Sequence, residues 1–291
     1  MKNIIASTLP LWCLASCASI LLLTTHSAAR EDIVKDVVDG VKYSCSKFYN
    51  LTGQKDGICA KKQIFILGGQ SNMAGRGAII NGEVPVDNTP DPLKVFRLNA
   101  QLEWEVARDP LHTGIDIGKP CGVGPGMSFA NSVKTRLGVI GLVPCARGGS
   151  SIKEWEKGEE HYNTMIQRAK AAVEVGGGGG EIKALLWYQG ESDTYNLNDA
   201  ESYKEHLEKL VQNARTDLNM PSLPILLVII ESGDGPFKDE VIKQQKAFKM
   251  PNVVKVDSKG LGLNKDNVHL NTEAQVQLGK WLADAYLNNF A

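Results

Sequence analysis

The sequence has no excess of either charge. The 291-residue chain contains 32 lysine and arginine residues against 33 aspartate and glutamate residues, a formal net charge of -1. The basic residues are dispersed, so the composition does not support a basic groove for a nucleic acid, and acidic polymers are not indicated as partners either. With 43% hydrophobic residues, the chain fits one large soluble domain with an ample core.

Cysteine is also scarce, with six residues in the chain. Four of them, Cys45, Cys59, Cys121 and Cys145, lie beyond residue 29, and none of these has the close spacing of a zinc knuckle. The histidines are scattered as well, so zinc is the weaker interpretation, and we expect no metal and no cofactor. An even number of cysteines in a secreted chain permits disulfides. We favour a bridge between Cys45 and Cys59, which closes a short loop, but the sequence leaves other pairings open.

The most apolar run lies at the N-terminus. It covers about residues 9–23, after Lys2, and is followed by the small residues Ser27-Ala28-Ala29. This pattern predicts a signal peptide over residues 1–29, which implies secretion to the extracellular space or a cell wall. Polar residues interrupt the run and it is short for a membrane span, so a retained anchor is the less favoured alternative. We therefore expect no stable association with a membrane.

The rest of the chain divides into an N-terminal extension, residues 30–61, and a main domain, residues 62–291. The extension contains the sequon Asn50-Leu51-Thr52 in the polar segment between Cys45 and Cys59. Such a sequon fits a secretory route and predicts a glycoprotein.

Five apolar runs rich in β-branched residues have the composition of buried parallel strands. They cover residues 63–69, 139–144, 182–188, 224–230 and 253–257. Segments with a helical pattern separate most of them and follow the last, at residues 127–137, 160–175, 199–218, 237–249 and 271–288. The alternation predicts an α/β fold, a three-layer α/β/α sandwich around a doubly wound parallel sheet of five strands.

Two stretches interrupt this pattern. Residues 78–126 are rich in Pro, Asp, Asn and Gly and leave the end of the first predicted strand, so we expect this long loop to form a wall of a cleft. Residues 176–180 are five consecutive glycines at the end of a predicted helix. A helix cap and surface turn is favoured over a phosphate-binding loop, because a strand and not a helix follows.

Polar residues follow the predicted strands where ligands bind in a doubly wound sheet, at the carboxyl ends of the strands. Residues 70–72 follow the first strand, residues 146–151 the second and residues 189–193 the third, while residues 266–269 lie beyond the fifth. We expect these four groups to converge on one site.

Three of these residues have the side chains that acyl transfer requires. Ser71 is the candidate nucleophile, His269 the general base and Asp266 the carboxylate that orients the imidazole. A turn can bring Asp266 and His269 to the same side, since they stand three residues apart. A lone serine after a strand is most often a helix N-cap, and a lone histidine is usually structural. The joint occurrence of all three favours catalysis.

The negative charge that builds on the carbonyl oxygen needs hydrogen-bond donors. The candidates are the backbone N–H groups of Ser71 and of Gly148 or Gly149, with the side-chain amide of Gln189.

Further polar residues in the same groups are candidates for binding substrate. These are Asn72, Arg147 and Glu191. Arg147 can equally be a surface ion-pair residue, and Glu191 a solvated or capping carboxylate.

Three motifs resemble the signature blocks of the SGNH hydrolase superfamily. They are Gly69-Gln-Ser-Asn-Met-Ala-Gly-Arg-Gly77, Trp187-Tyr-Gln-Gly-Glu-Ser-Asp193 and Asp266-Asn-Val-His-Leu270. Within the superfamily, the chain is similar to the plant carbohydrate esterases of family 6, which have a sialate O-acetylesterase-type domain. The resemblance covers about residues 62–287. It implies a flavodoxin-like fold and metal-free hydrolysis of acetyl esters on sugars.

The resemblance also implies roles for single residues. Ser71, Asp266 and His269 match the catalytic triad of the family. Its further oxyanion donors are a glycine and an asparagine. By position, Gln189 takes the place of the asparagine, and we assign the glycine to Gly149.

The comparison with the family pattern is informative at Arg147 and at two cysteines. Arg147 stands beside that glycine where many relatives have a small neutral residue, so it can select an acidic sugar or face solvent. Cys121 and Cys145 lie inside segments similar to the family, which makes buried free thiols an alternative to a disulfide.

The sequence thus predicts a carboxylic ester hydrolase that removes acetyl groups from carbohydrates such as xylan or pectin, through an acetyl-Ser71 intermediate. One alternative is a carbohydrate-binding protein with little or no turnover, which the presence of the whole triad argues against. Another is a lipase or esterase for other acyl esters, which is the runner-up among enzymes and is less favoured because of the family resemblance and because no long apolar lid is evident.

Overall fold

The structure is a computed structural model that describes residues 61–175 and 179–291. The expected signal peptide, the Asn50 sequon and the Cys45–Cys59 disulfide lie outside these residues, as do most of the consecutive glycines.

Seven strands form one sheet in the described part of the chain. In chain order they are β1 (Lys62–Gly69), β2 (Val95–Leu98), β3 (Trp104–Val106), β4 (Ile140–Pro144), β5 (Gly180–Tyr188), β6 (Ile225–Ile229) and β7 (Val253–Asp257). Their order in the sheet is β3-β2-β4-β1-β5-β6-β7, and all neighbours are parallel except β2 and β3. From β4 to β7 this is the 2-1-3-4-5 order of flavodoxin-like sheets. The predicted fold class and all five predicted strands are confirmed.

The prediction of only five strands was wrong, because β2 and β3 lie inside the loop expected over residues 78–126. They contain four and three residues, too few to show a strand period among the surrounding Pro, Asp and Gly. They pair antiparallel, with Phe96 opposite Val106, and extend the sheet beyond β4. Part of the long segment is therefore the edge of the sheet.

Six α-helices lie within the described ranges. They are α1 (Ser71–Ala74), α2 (Pro125–Leu137), α3 (Glu160–Glu174), α4 (Leu197–Asp217), α5 (Lys238–Ala247) and α6 (Thr272–Phe290). Short 3-10 helices occur at Val86–Asn88, Ile152–Trp155 and Glu191–Thr194. The five longer helices confirm the five predicted from the sequence, with small shifts at their ends. No helix of this part of the chain is long and apolar enough to span a membrane.

The central strand β1 is buried on both faces of the sheet. The Phe65 ring makes edge-to-face contacts with Phe129 of α2 at 4.8 Å and with Tyr286 of α6 at 4.9 Å, measured between ring centroids. Its neighbour Ile64 points to the opposite face, where α3 packs, and is equally buried. Burial on both faces explains why this strand is a continuous apolar run in the sequence.

Candidate active site

Ser71 begins the one-turn helix α1 directly after β1. Gly69 ends the strand with φ 125°, and a Cβ atom there would lie 2.0 Å from the backbone oxygen of Tyr188. Only glycine fits this close approach. The next N–H group, that of Gln70, donates to the same Tyr188 oxygen at 2.9 Å. The turn after β1 is thus fixed against the end of β5, and it sets the position of Ser71.

Ser71, His269 and Asp266 form a continuous chain of hydrogen bonds. Nε2 of His269 lies 2.9 Å from Oγ of Ser71, and Nδ1 lies 2.8 Å from Oδ2 of Asp266. This is the arrangement that lets an imidazole accept a proton from a serine while a carboxylate orients the ring.

The loop between β7 and α6 holds the imidazole and the carboxylate. Oδ1 of Asp266 accepts hydrogen bonds from the backbone N–H groups of Val268 and His269, both at 2.9 Å. Asn267, which lies between Asp266 and Val268, has φ 58°, a left-handed conformation that asparagine tolerates. Desolvation acts to raise the pKa of Asp266, but the hydrogen bonds from His269 and Val268 outweigh it and lower this pKa below its ordinary value. Asp266 therefore stays ionised beside the imidazole.

Asn72 connects this loop to the turn that carries Ser71. Its side-chain oxygen accepts from the Leu270 N–H at 2.9 Å. Its side-chain nitrogen donates to the Val268 carbonyl at 3.2 Å and to Oε1 of Glu191 at 2.6 Å. Asn72 is fully buried and lies beneath the cleft, so the structure does not place it among the substrate-binding residues. Instead it fixes the distance between Ser71 and His269.

Glu191 is the acidic partner of Asn72 and is only 2% exposed. Burial raises the pKa of Glu191 to about 7, the hydrogen bond from Asn72 acts in the opposite direction, and the charge of Asp193 adds to the rise. Glu191 reaches the floor of the cleft. This position fits the prediction of a substrate-binding residue better than it fits the alternative of a solvated surface carboxylate.

Gly149 leaves a backbone N–H group free beside the cleft. The neighbouring Gly148 N–H donates to Oδ1 of Asp116 at 2.9 Å, whereas no acceptor for the Gly149 N–H is found within residues 61–175 and 179–291. Of the two glycines, the structure therefore makes Gly149 available as an oxyanion donor and not Gly148. The Ser71 N–H, at the start of α1, is the second backbone donor of this kind.

Asp116 holds the glycine loop in place and was not identified from the sequence. Its Oδ2 lies 2.6 Å from Nη2 of Arg76, in an ion pair whose side chains are 8% exposed for Arg76 and 2% exposed for Asp116. Arg76 follows Ser71 in the first motif, and Asp116 comes from the long segment after it. The pair thus links the turn that carries Ser71 to the loop of Gly148.

Gln189 is not placed as an oxyanion donor. Its side chain is fully buried and is absent from the cleft wall. Nε2 donates to the Ser150 carbonyl at 3.0 Å and to Oδ2 of Asp193, and it lies 3.2 Å from the side-chain amide of Gln70. Both of its N–H groups are already engaged. The sequence identified the position, but not the direction of the side chain.

Asp193 is the buried acceptor of that amide. It also accepts from the Ile152 N–H at 3.0 Å. Burial raises the pKa of Asp193 to about 7, against hydrogen bonds from Gln189 and Ile152 that lower it.

Arg147 does not line the cleft either. Its guanidinium donates to the backbone oxygen of Ile115. The structure therefore gives no support to the selection of an acidic sugar by Arg147.

Cys121 and Cys145 are both free thiols. Cys145 is buried, and burial raises its pKa to about 11. Cys121 is half-buried on the cleft wall, and burial likewise raises its pKa. The alternative of free thiols is thus confirmed, with Cys121 less buried than expected.

The cleft above Ser71 has a volume of about 970 Å³. It is lined by the triad and Gly149, by the start of the long segment at Ala78 and Ile79, by Lys119 and Cys121, and by Tyr195 and Asp234. Within the described ranges, no group of three or more His, Cys, Asp or Glu side chains could hold a metal ion.

Comparisons with known proteins show the family of this chain. The family model for carbohydrate esterases described as sialic acid-specific acetylesterases matches residues 61–288. A probable carbohydrate esterase from Arabidopsis thaliana is 54% identical over 242 residues, which are 78% of this chain and 91% of that protein.

Solved structures show the same fold. An X-ray structure of a protein from Arabidopsis thaliana has a TM-score of 0.76 and 53% identity, covering 79% of this chain and 100% of that chain. A carbohydrate acetylesterase from Xanthomonas citri shares the fold with a TM-score of 0.52 and 19% identity, covering 78% of this chain and 56% of that one. The resemblance found in the sequence is confirmed, and this chain belongs to the carbohydrate esterase family of sialic acid-specific acetylesterases and is a carboxylic ester hydrolase.

Proposed function

We propose that the protein is a serine esterase that hydrolyses O-acetyl esters on a polysaccharide of the xylan or pectin type. The observation that carries the proposal is the hydrogen-bonded chain from Ser71 through His269 to Asp266, which opens into a cleft of about 970 Å³. The family supports an acetyl ester of a carbohydrate as the substrate class.

The reaction begins when Oγ of Ser71 attacks the acetyl carbonyl and Nε2 of His269 takes the hydroxyl proton. Negative charge moves to the carbonyl oxygen, where the N–H groups of Ser71 and Gly149 donate hydrogen bonds. As the tetrahedral intermediate collapses, the C–O bond to the sugar breaks and His269 returns its proton to the sugar oxygen. Asp266, which stays ionised, stabilises the imidazolium between these two transfers.

Water completes the cycle. His269 takes a proton from a water molecule, which attacks the acetyl-Ser71 ester and releases acetate, and the proton passes to Oγ of Ser71. Because the triad lies on the floor of an open cleft, the sugar hydroxyl can leave and water can enter from the same side.

We also propose that the chain is secreted after cleavage near Arg30 and is glycosylated at Asn50. The support is the order of charged, apolar and small residues before Arg30, together with the sequon. Protein recovered from the medium of a plant cell culture should begin near Arg30 and lose mass on treatment with an N-glycosidase. Retention of the full N-terminus on membranes would contradict secretion.

The function is tested by the release of acetate. Purified protein is incubated with acetylated xylan and with acetylated pectin, and Ser71→Ala is compared with Ser202→Ala, a serine on α4 away from the cleft. We expect release to fall at least about 10⁴-fold in Ser71→Ala and to remain in Ser202→Ala.

Two results would contradict this function. Equal release by Ser71→Ala would exclude the serine mechanism. No release from either polymer, with rapid cleavage of long-chain esters, would indicate a lipase, and glycan binding without any turnover would indicate a binding protein.

A further inference from the structure

Tyr195 is an exposed aromatic side chain on the wall of the catalytic cleft. It directly follows the short helix Glu191–Thr194 and is 59% exposed. The other tyrosines within the described residues, at positions 162, 188, 203 and 286, are all buried. An aromatic ring left open to solvent beside a nucleophile is available to contact a ligand.

The ring is held in place from two loops. Its hydroxyl donates to Oδ1 of Asp234, which lies in the loop after β6. This loop is in turn attached to Thr194, since the Gly235 N–H donates to Oγ1 of Thr194 at 3.2 Å and the Phe237 N–H donates to its carbonyl at 2.9 Å. A ring that is already fixed loses little conformational freedom when a ligand packs on it.

We propose that Tyr195 is a stacking platform for a neutral sugar ring of the polysaccharide backbone, next to the acetylated sugar at Ser71. The C–H groups on one face of a pyranose are apolar and pack on an aromatic face, while its hydroxyl groups point outward to water and to polar side chains. This rests on the proposed function and narrows its substrate from xylan or pectin to a neutral backbone of the xylan type.

The charges of the cleft favour a neutral sugar over a uronate. Asp234 lies against the Tyr195 hydroxyl, and Asp266 lies on the same cleft. Two basic side chains also line the cleft, and one of them, Arg76, is paired with Asp116. The other, Lys119, has no ion-pair partner in the part of the chain that the structure describes. A uronate carboxylate stacked on Tyr195 would meet the charge of Asp234 at close range.

Kinetics with two kinds of substrate test the platform. The specificity constant kcat/KM is measured on acetylated xylo-oligosaccharides and on a small aryl acetate, for the wild type, Tyr195→Ala and Tyr195→Phe. We expect Tyr195→Ala to lower the ratio of kcat/KM on the oligosaccharide to kcat/KM on the aryl acetate about tenfold, mainly by raising KM for the oligosaccharide. Tyr195→Phe should keep most of the wild-type ratio. Leu93→Ala, an exposed apolar residue outside the cleft, is the matched control and should leave the ratio unchanged. An unchanged ratio in Tyr195→Ala would overturn the proposal.

Binding separates failure of the platform from failure of the proposed function. Calorimetric titration of unacetylated xylohexaose needs no turnover, and we expect binding to the Ser71→Ala protein that weakens about tenfold when Tyr195→Ala is added. If the protein releases no acetate from sugars but Tyr195→Ala still weakens the binding of xylohexaose about tenfold, the platform is supported and the esterase function is wrong. If xylohexaose does not bind, or oligogalacturonate binds more tightly than xylohexaose, the neutral platform is wrong.

Discussion

The buried carboxyl of Glu191 makes the stability of the fold depend on pH in a predictable direction. Burial raises its pKa from an ordinary 4.5 to about 7. The folded protein keeps this proton over a pH range in which the unfolded chain has lost it, so the free energy of unfolding falls as pH rises. At about 1.4 kcal/mol for each pKa unit, an ionised Glu191 costs the fold about 3 kcal/mol, and most of this cost develops between pH 5 and pH 8.

The perturbation that isolates this effect is Glu191→Gln. The amide keeps the size of the side chain and an oxygen for the 2.6 Å hydrogen bond from Asn72, but it cannot ionise. We expect the free energy of unfolding of the variant, relative to that of the wild type, to rise by about 2–3 kcal/mol on going from pH 5 to pH 8. Other buried carboxyls, such as Asp193 and Asp109, titrate in both proteins, so the comparison largely removes their contributions.

Urea denaturation at both pH values measures the change. Glu103→Gln, an exposed glutamate, is the matched control and should shift by less than about 0.5 kcal/mol. If Glu191→Gln followed the wild type at both pH values, Glu191 would titrate alike in the folded and unfolded states. A buried Asn72–Glu191 pair beneath the triad would then be excluded.

Further predictions concern the residues that position the site. Asp116→Ala leaves Arg76 buried without its partner and should lower the free energy of unfolding by about 3–5 kcal/mol in urea, whereas a loss below about 1 kcal/mol would show that the ion pair is unimportant. Asp266→Asn should lower kcat on an aryl acetate about 10³–10⁴-fold with little change in KM, and near wild-type turnover would exclude its role in orienting the imidazole. Gly69→Ala would place a Cβ atom 2.0 Å from the Tyr188 oxygen, so we expect a loss of more than about 3 kcal/mol in thermal unfolding; a variant as stable as the wild type would disprove the close approach.

The sequence predicted the central sheet because its strands are buried on both faces. A strand such as β1 is then a continuous apolar run, which is easy to recognise. The convergence of Ser71 and His269 followed from the rule that ligands bind at the carboxyl ends of parallel strands. By contrast, β2 and β3 are too short to show a period, and the place of β2 in the sheet depends on β4, which lies far along the chain.

The sequence did not predict the direction in which each side chain of the site points. Gln189 and Asn72 stand in the expected groups, but neither side chain lines the cleft, and both amides donate to buried acceptors. Asp116 lies in a segment without periodicity, and its role depends on contacts with Arg76 and Gly148 that only the folded chain creates. The motifs therefore located the site, while the contacts that hold its loops together had to be seen in three dimensions.

A covalent bond between Ser71 and the acetyl group is the step that distinguishes the proposed mechanism. Wild-type protein is mixed with acetylated xylo-oligosaccharide in excess, quenched in acid within milliseconds, digested and analysed by mass spectrometry. We expect one added acetyl group on the peptide that carries Ser71, at higher occupancy in Asp266→Asn if that change slows the water step more than the first. Acetate release at the normal rate with no acetyl group on that peptide at any quench time, in either protein, would contradict the proposed mechanism.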